Sequence, residues 1–108
     1  MNRGELWTAA DGAYASKPRP VLIMQDDRFG ATDSVVVIPL TTQVIDATLA
    51  RVPVVADDLS GIAQDSYAMV DKVTTVRRTR LGERIGRVTA SQMVHIERAL
   101  LVFLGIAG

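Results

Sequence analysis

Two apolar runs of matching length constrain the fold of this 108-residue chain more than any other feature. The runs are RPVLIMQ (residues 19–25) and SVVVIPL (residues 34–40), seven residues each, and the polar segment DDRFGATD separates them. Branched apolar residues with proline near an end of the run, and a turn between two such runs, are typical of paired buried strands. We therefore expect an antiparallel sheet built around these two strands.

Other short apolar segments predict further strands, and the end of the chain changes to a helical period. The strand candidates are GELWT (4–8), RVPVVA (51–56), SYAMVDKVTTVRR (66–78, as one strand or two joined by a bend) and ERIGRV (83–88). Thr89 and Gln92 have capping-box spacing, and Gly105 is a suitable C-terminal cap. Apolar residues between them repeat at helical spacing and are expected in the core, namely Met93, Ile96, Leu100 and Phe103. The pattern predicts a mainly β, α+β fold: an antiparallel sheet or small barrel covered by one C-terminal amphipathic helix.

The composition excludes several classes of protein and site. A chain of 108 residues fits one domain, here 1–108, and 48% hydrophobic residues indicate a globular core. The absence of cysteine excludes disulfides and thiolate metal sites, and a single histidine, His95, excludes a histidine-rich metal cage. No secretory signal, membrane span, Walker loop or Rossmann fingerprint is present. The adjacent Asp26 and Asp27 indicate a turn. We expect a cytoplasmic protein without metal or cofactor.

Charge is distributed unevenly along this neutral chain. Five acids and one base lie between Val44 and Asp71, whereas six bases and one acid lie between Lys72 and Arg87. Such a basic segment either attracts a polyanion or forms an ordinary solvated surface.

Arg19 is the first candidate functional residue, because it stands between Pro18 and Pro20. Proline fixes its own φ and restricts the residue before it, so this cation is held stiffly at the start of a strand. Antiparallel pairing of the two long runs would bring Arg19 close to the hydroxyls of Thr41 and Thr42. A guanidinium and a hydroxyl can together bind a phosphodiester, although such a pair also occurs on ordinary surfaces.

The chain resembles the MazF/PemK family of toxin endoribonucleases, the mRNA interferases, along nearly its whole length. The matching blocks are RGELW, KPRPVLIMQ, VVVIPLTT, RVPV, DSYAMVDKVTTVRRTRLGERIGRV and ASQMVHIERALLVFLG. The resemblance implies a small SH3-like, CcdB-type β-barrel, a homodimer, and metal-independent cleavage of single-stranded RNA. It also implies a cognate antitoxin whose disordered acidic tail lies in the active-site groove.

The resemblance also assigns roles to individual residues. The family's functional arginine corresponds to Arg19 and its functional threonine to Thr41. The implied reaction is attack of a ribose 2′-OH on the adjacent phosphate, which leaves a 2′,3′-cyclic phosphate and a 5′-OH. Arg19 is expected to stabilise charge on the phosphate and is a poor general base, because a guanidinium keeps its proton. The base stays open: a nearby acid, a water or the arginine itself. The candidate RNA-binding residues are Tyr14, Ser16, Lys17, Phe29, Thr42, Gln43, Lys72, Arg77, Arg78 and Arg80. The loops that carry Tyr14 and Phe29 are expected to flank Arg19.

Two alternatives remain at this point. The same fold serves the CcdB toxins, which poison gyrase without cutting RNA, so a non-catalytic binding module is possible on sequence grounds. An inactive domain is the other, because TAADGAYASKPRP is shorter than the corresponding segment of the family and lacks its Gly-Ser pair. The KPRP and PLTT blocks favour the nuclease.

Overall fold

Seven strands and one α-helix make up the computed structural model, which describes residues 1–10, 18–45 and 49–107. The elements are β1 (Glu5–Ala9), β2 (Arg19–Ile23), β3 (Ser34–Thr41), β4 (Arg51–Val54), β5 (Ser66–Met69), β6 (Thr74–Arg77), β7 (Leu81–Arg87) and α1 (Ala90–Phe103). Short 3₁₀ turns span Asp27–Phe29, Val70–Lys72 and Arg78–Arg80. The α+β class and the terminal helix predicted from the sequence are confirmed.

The strands form one antiparallel sheet in the order β4-β5-β3-β2-β1-β7, with β6 pairing β3 beside β5. The predicted pairing of β2 with β3 is confirmed, since Val21 lies opposite Pro39 and Ile23 opposite Val37. Strand β3 is shared, because its first half pairs β6 and its end pairs β5. Among the described strands no ladder joins β4 to β7, so the expected barrel is an open, curved sheet here.

The segment 66–78 forms two strands joined by a bend, which was one of the two predicted possibilities. Val70 is fully buried and starts the 3₁₀ turn, and the Val73 amide donates to the Val70 carbonyl at 3.2 Å. Burial of Val70 anchors this turn in the core. As a result β5 pairs with the end of β3 while β6 pairs with its beginning.

Apolar side chains cover both faces of the sheet, because alternate residues of a strand point to opposite faces. One core lies between the sheet and α1 and includes Leu22, Ile38 and Ile96. The second core lies on the other face and consists of Ala9, Val21, Ile23, Val35 and Val37, with Trp7, Val76 and Leu81 packed against it. Arg19 lies two residues before Val21, and Thr41 lies four residues after Val37, so both are on the same face of the sheet as this second core.

Helix α1 begins and ends as the sequence predicts, but its last turn is exposed. The Thr89 amide donates to Gln92 Oε1 at 2.7 Å, and the Gln92 amide donates to Thr89 Oγ1 at 3.1 Å, which completes the capping box. Met93 and Ile96 are buried as expected, whereas Phe103 is 50% exposed. The prediction that Phe103 lies in the core is wrong, because the part of α1 that packs against the core ends at Leu100. Within the described ranges, no helix is long and apolar enough to cross a membrane.

Candidate nucleic-acid interface

One row of residues crosses the sheet from β7 to β4 and contains both candidate catalytic residues. Its directly opposed cross-strand pairs are Leu81 with Ala9, Ala9 with Arg19, Thr41 with Tyr67, and Tyr67 with Pro53. Continuing the β2–β3 register by two residues beyond Val21 and Pro39 places Arg19 across from Thr41. Directly opposed residues share a face of the sheet, and neighbouring strands lie about 5 Å apart. The row therefore brings a guanidinium, a hydroxyl and a phenol together on one face, opposite to α1.

Arg19 is the first residue of β2, and its side chain is exposed. Pro18 and Pro20 limit its backbone to extended shapes, so the side chain leaves the sheet from a fixed point. The described residues offer its guanidinium neither a hydrogen-bond acceptor nor an ion-pair partner. No residue in the described ranges therefore competes with an anionic ligand for its charge and donors.

Thr41 ends β3 and is half-buried. Its Oγ1 accepts a hydrogen bond from the Gln43 amide at 3.2 Å. That bond fixes the hydroxyl oxygen and leaves the hydroxyl proton free to be donated to a ligand. Thr42 and Gln43 follow at the surface, so both are accessible beside Thr41.

Tyr67 was not selected from the sequence, although the structure places it directly opposite Thr41. The sequence shows Tyr67 in a strand candidate, but nothing local shows which strand pairs with the end of β3. The half-buried Tyr67 lies between Thr41 and the exposed Pro53 of the edge strand β4. The row thus holds an aromatic ring beside the hydroxyl.

The basic segment does not form one continuous surface. The Arg80 carbonyl accepts from the Ala10 amide at 3.0 Å, next to the Ala9 end of the row. Arg77 instead lies opposite Ser34, at the start of β3. Lys72 is exposed in the turn between β5 and β6. Of these cations, only Arg80 has a hydrogen-bonded link to the strand that carries Ala9.

Arg78 binds residues 26–33, a loop within the connection between β2 and β3. Its Nε donates to the Thr32 carbonyl, and its Nη2 donates to the Phe29 carbonyl at 3.1 Å and to Thr32 Oγ1 at 3.2 Å. Gln25 Nε2 also donates to the Phe29 carbonyl and to Thr32 Oγ1, at 2.8 Å each. The guanidinium predicted to contact RNA is therefore largely occupied by the protein's own acceptors.

Phe29 lies in the loop that follows β2, whereas Arg19 begins β2, so the two are at opposite ends of that strand. The prediction that this loop flanks Arg19 is wrong, because a hairpin turn closes the far end of its two strands. The ring is 56% exposed and the Arg28 guanidinium lies 5.8 Å from its centroid. A contact between Phe29 and RNA would be remote from Arg19.

The remaining predictions concern three RNA-binding candidates, the turn at Asp26 and Asp27, and metal binding. Tyr14, Ser16 and Lys17 lie outside the described residues. Asp26 caps a 3₁₀ turn, accepting from the Arg28 amide at 2.9 Å, and that hydrogen bond chiefly lowers the pKa of its carboxyl. The described ranges contain no group of three potential metal-ligating side chains.

Comparisons with known proteins identify the family. A sequence profile described as "PemK-like, MazF-like toxin of type II toxin-antitoxin system" matches residues 2–104. The chain is 55% identical to a probable endoribonuclease MazF of Mycolicibacterium smegmatis, over all of both chains, and 27% identical to endoribonuclease MazF9 of Mycobacterium tuberculosis, over 98% of each. A solved mycobacterial structure, an endoribonuclease in complex with its cognate antitoxin, superposes with a TM-score of 0.82 at 28% identity and covers 100% of this chain and 98% of its own. The chain belongs to the PemK-like, MazF-like toxin family of type II toxin–antitoxin systems.

Proposed function

We propose that this protein is the toxin of a type II toxin–antitoxin system and an endoribonuclease that cuts single-stranded RNA without a metal ion. Residues 1–108 would act as a single domain in the cytoplasm, where messenger RNA is found. The observation that carries the proposal is the row in which the continued β2–β3 register places Arg19 across from Thr41, with no described residue that accepts from the Arg19 guanidinium or from the Thr41 hydroxyl. The family and the full-length likeness to named endoribonucleases support the same reaction.

In the proposed reaction the 2′-oxygen of a ribose attacks the adjacent phosphorus and the bond to the 5′-oxygen breaks. The products are a 2′,3′-cyclic phosphate and a 5′-OH. Arg19 binds the non-bridging oxygens, which gain negative charge in the transition state, and Thr41 donates its hydroxyl proton to one of them. The 2′-OH loses a proton and the leaving 5′-oxygen gains one, and no described residue is assigned to these transfers.

The RNA backbone is proposed to leave the row over exposed polar and basic residues. Thr42 and Gln43 lie beside Thr41, and Arg80 lies at the Ala9 end of the row. The further candidate contacts are Tyr14, Ser16, Lys17, Phe29, Lys72 and Arg77. Arg78 contributes mainly by fixing the loop 26–33.

Cleavage of a long single-stranded RNA in EDTA tests the proposal. The wild-type protein should give discrete cuts with 5′-OH ends. Arg19→Ala should lower the rate by about 10²- to 10³-fold, the loss typical of removing one donor to a developing oxyanion. Thr41→Val should reduce it in the same sense. Arg87→Ala, at the far end of β7, and Thr75→Val, on β6, are matched controls that should cut normally.

Two outcomes would contradict this function. A folded wild-type protein that leaves RNA intact would favour the alternative, a non-catalytic CcdB-like gyrase poison or an inactive binding module. Cleavage of RNA that carries deoxyribose at the scissile position would exclude attack by the 2′-OH.

A homodimer and an antitoxin complete the proposal. Apolar side chains at the end of the chain are exposed, including Val102, Phe103 and Ile106, and a groove lined by Leu49, Val52 and Val102 separates β4 from α1. A second copy of the chain would cover this surface, and sedimentation equilibrium would show it. A disordered acidic antitoxin segment is chemically suited to the charge of Arg19, for which the described residues offer no ion-pair partner. Such a peptide should inhibit cleavage by wild-type protein competitively with RNA.

A further inference from the structure

We infer that Tyr67 is the stacking platform for the nucleobase next to the scissile phosphate, and this inference rests on the proposed function. It follows from the register, which makes Tyr67 the direct cross-strand neighbour of Thr41. A phosphate bound between Arg19 and Thr41 would therefore have an aromatic ring one strand away. Single-stranded RNA is held in this way by many proteins, because every base presents a flat face to an aromatic side chain.

The spacing of the row fits one nucleotide. Adjacent paired strands are about 5 Å apart, so continuing the β2–β3 register to Arg19 and Thr41 puts the backbones of Arg19 and Tyr67 roughly 10 Å apart across Thr41. A phosphate at the Arg19–Thr41 end would place the ribose over Thr41 and the base over Tyr67. The exposed Pro53 lies on the far side of Tyr67 and extends the apolar surface under the base.

The other described aromatic residues are poorly placed for this role. The Trp7 indole donates to Glu5 Oε1 at 3.0 Å and packs against the second core. Phe29 lies beyond the opposite end of β2 from Arg19, and Phe103 lies on α1, which packs on the other face of the sheet. Within residues 1–10, 18–45 and 49–107, Tyr67 alone joins an aromatic ring to the row.

A double-mutant cycle between protein and RNA tests the contact. The binding substrate is an oligonucleotide that spans a mapped cut site and carries 2′-deoxyribose there to prevent cleavage. Two further oligonucleotides lack the base on the 5′ or the 3′ side of the scissile phosphate. Each is bound to wild-type protein, Tyr67→Phe and Tyr67→Ile, since isoleucine suits a strand and retains an apolar side chain. Thermal unfolding checks that each variant is folded.

Removal of the correct base should weaken binding to wild-type protein roughly 5- to 150-fold, the range expected for loss of one base–aromatic stack. Tyr67→Ile should show the same loss with the intact RNA and little further loss with the abasic RNA. Tyr67→Phe should behave as wild type, because the ring and not the hydroxyl makes the contact. On cleavable RNA, Tyr67→Ile should raise KM more than it lowers kcat.

Three results would overturn the inference. Equal losses from base removal in wild type and Tyr67→Ile would show that the base binds elsewhere. Unchanged binding by Tyr67→Ile would show that the ring does not contact RNA. In both cases RNA cleavage by wild type would still support the nuclease. If wild-type protein neither binds nor cuts RNA, the proposed function fails and the inference fails with it.

Discussion

Replacing Asp71 with asparagine removes half of an ion pair that joins strand β4 to the turn between β5 and β6. Arg51 Nε donates to Asp71 Oδ1 at 2.9 Å and Nη2 donates to Oδ2 at 3.2 Å, a bidentate geometry. Arg51 is the one charged side chain that is buried in the described part of the chain, at 8% exposure. Asp71→Asn therefore leaves a desolvated cation without its counter-charge.

The expected loss of stability lies between the values for buried and exposed pairs. Removing one partner of a fully buried pair costs about 3–5 kcal/mol, whereas exposed pairs contribute about 0–1 kcal/mol. The Asp71 side chain is 28% exposed, so water screens part of the interaction. We expect Asp71→Asn to lower the free energy of unfolding by about 2 kcal/mol at neutral pH.

The loss should depend on pH in a defined direction. Folding lowers the pKa of Asp71 below its ordinary value of 3.8, and the hydrogen bond from Arg51 is the main cause. A depressed folded-state pKa means that the pair stabilises the protein above 3.8 and that this contribution disappears as pH falls through the lower folded value. The difference between wild type and Asp71→Asn should be constant from about pH 5 to 7 and shrink in more acidic solution.

Urea unfolding measures both the loss of stability and its dependence on pH. The protein concentration is held constant, because the unfolding of a dimer depends on concentration. Glu97→Gln is the matched control, since it breaks the exposed pair that Arg3 Nη1 forms with Glu97 Oε1 at 3.0 Å. That substitution should cost about 0–1 kcal/mol. The reasoning fails if both variants lose the same stability, or if the Asp71→Asn difference is undiminished well below pH 3.8.

Two other predictions concern the basic segment and a close backbone contact. In a salt titration of RNA binding, Arg77→Ala should reduce the slope of log K against log salt concentration by about 0.7, the value for one single-strand phosphate contact. Arg78→Ala should leave this slope unchanged and lower the melting temperature, because its guanidinium is bound by loop carbonyls. Equal slopes for the two variants would contradict this prediction. Gly86→Ala should destabilise the fold by about 1–3 kcal/mol, because its Cβ would lie 2.2 Å from the Ser60 carbonyl oxygen. In chemical unfolding Gly30→Ala should be nearly neutral by comparison, since its nearest neighbour, the Asp27 oxygen, is 3.6 Å away.

The elements that local signals specify were predictable, and those that depend on distant partners were not. The β2–β3 pairing follows from two apolar runs and a turn, and the capping box follows from Thr89 and Gln92. The position of Tyr67 beside Thr41 depends on how β5 meets the end of β3, 26 residues earlier in the chain. No local pattern encodes that register. Arg78 is similar, because its acceptors lie 46 to 49 residues away and its charge alone resembles that of a free RNA contact.

The prolines around Arg19 have a structural consequence beyond stiffness. The Met24 amide donates to the Val36 carbonyl at 3.0 Å, so in this register the backbone of residue 20 faces β3, whereas that of Pro39 faces away from β2. Proline has no N–H, so Pro20 removes the donor that would extend the β2–β3 ladder to Leu40. Past the Val21–Pro39 pair the ladder stops, and β3 continues with β5 as its partner. The β2–β3 ladder thus ends before it reaches Arg19 and Thr41, which the continued register places across from each other. An apolar residue in place of Pro20 would supply this donor and favour a longer β2–β3 ladder, whereas Pro20 cannot donate to the Leu40 carbonyl, so the ladder ends beside the position that we propose binds the phosphate.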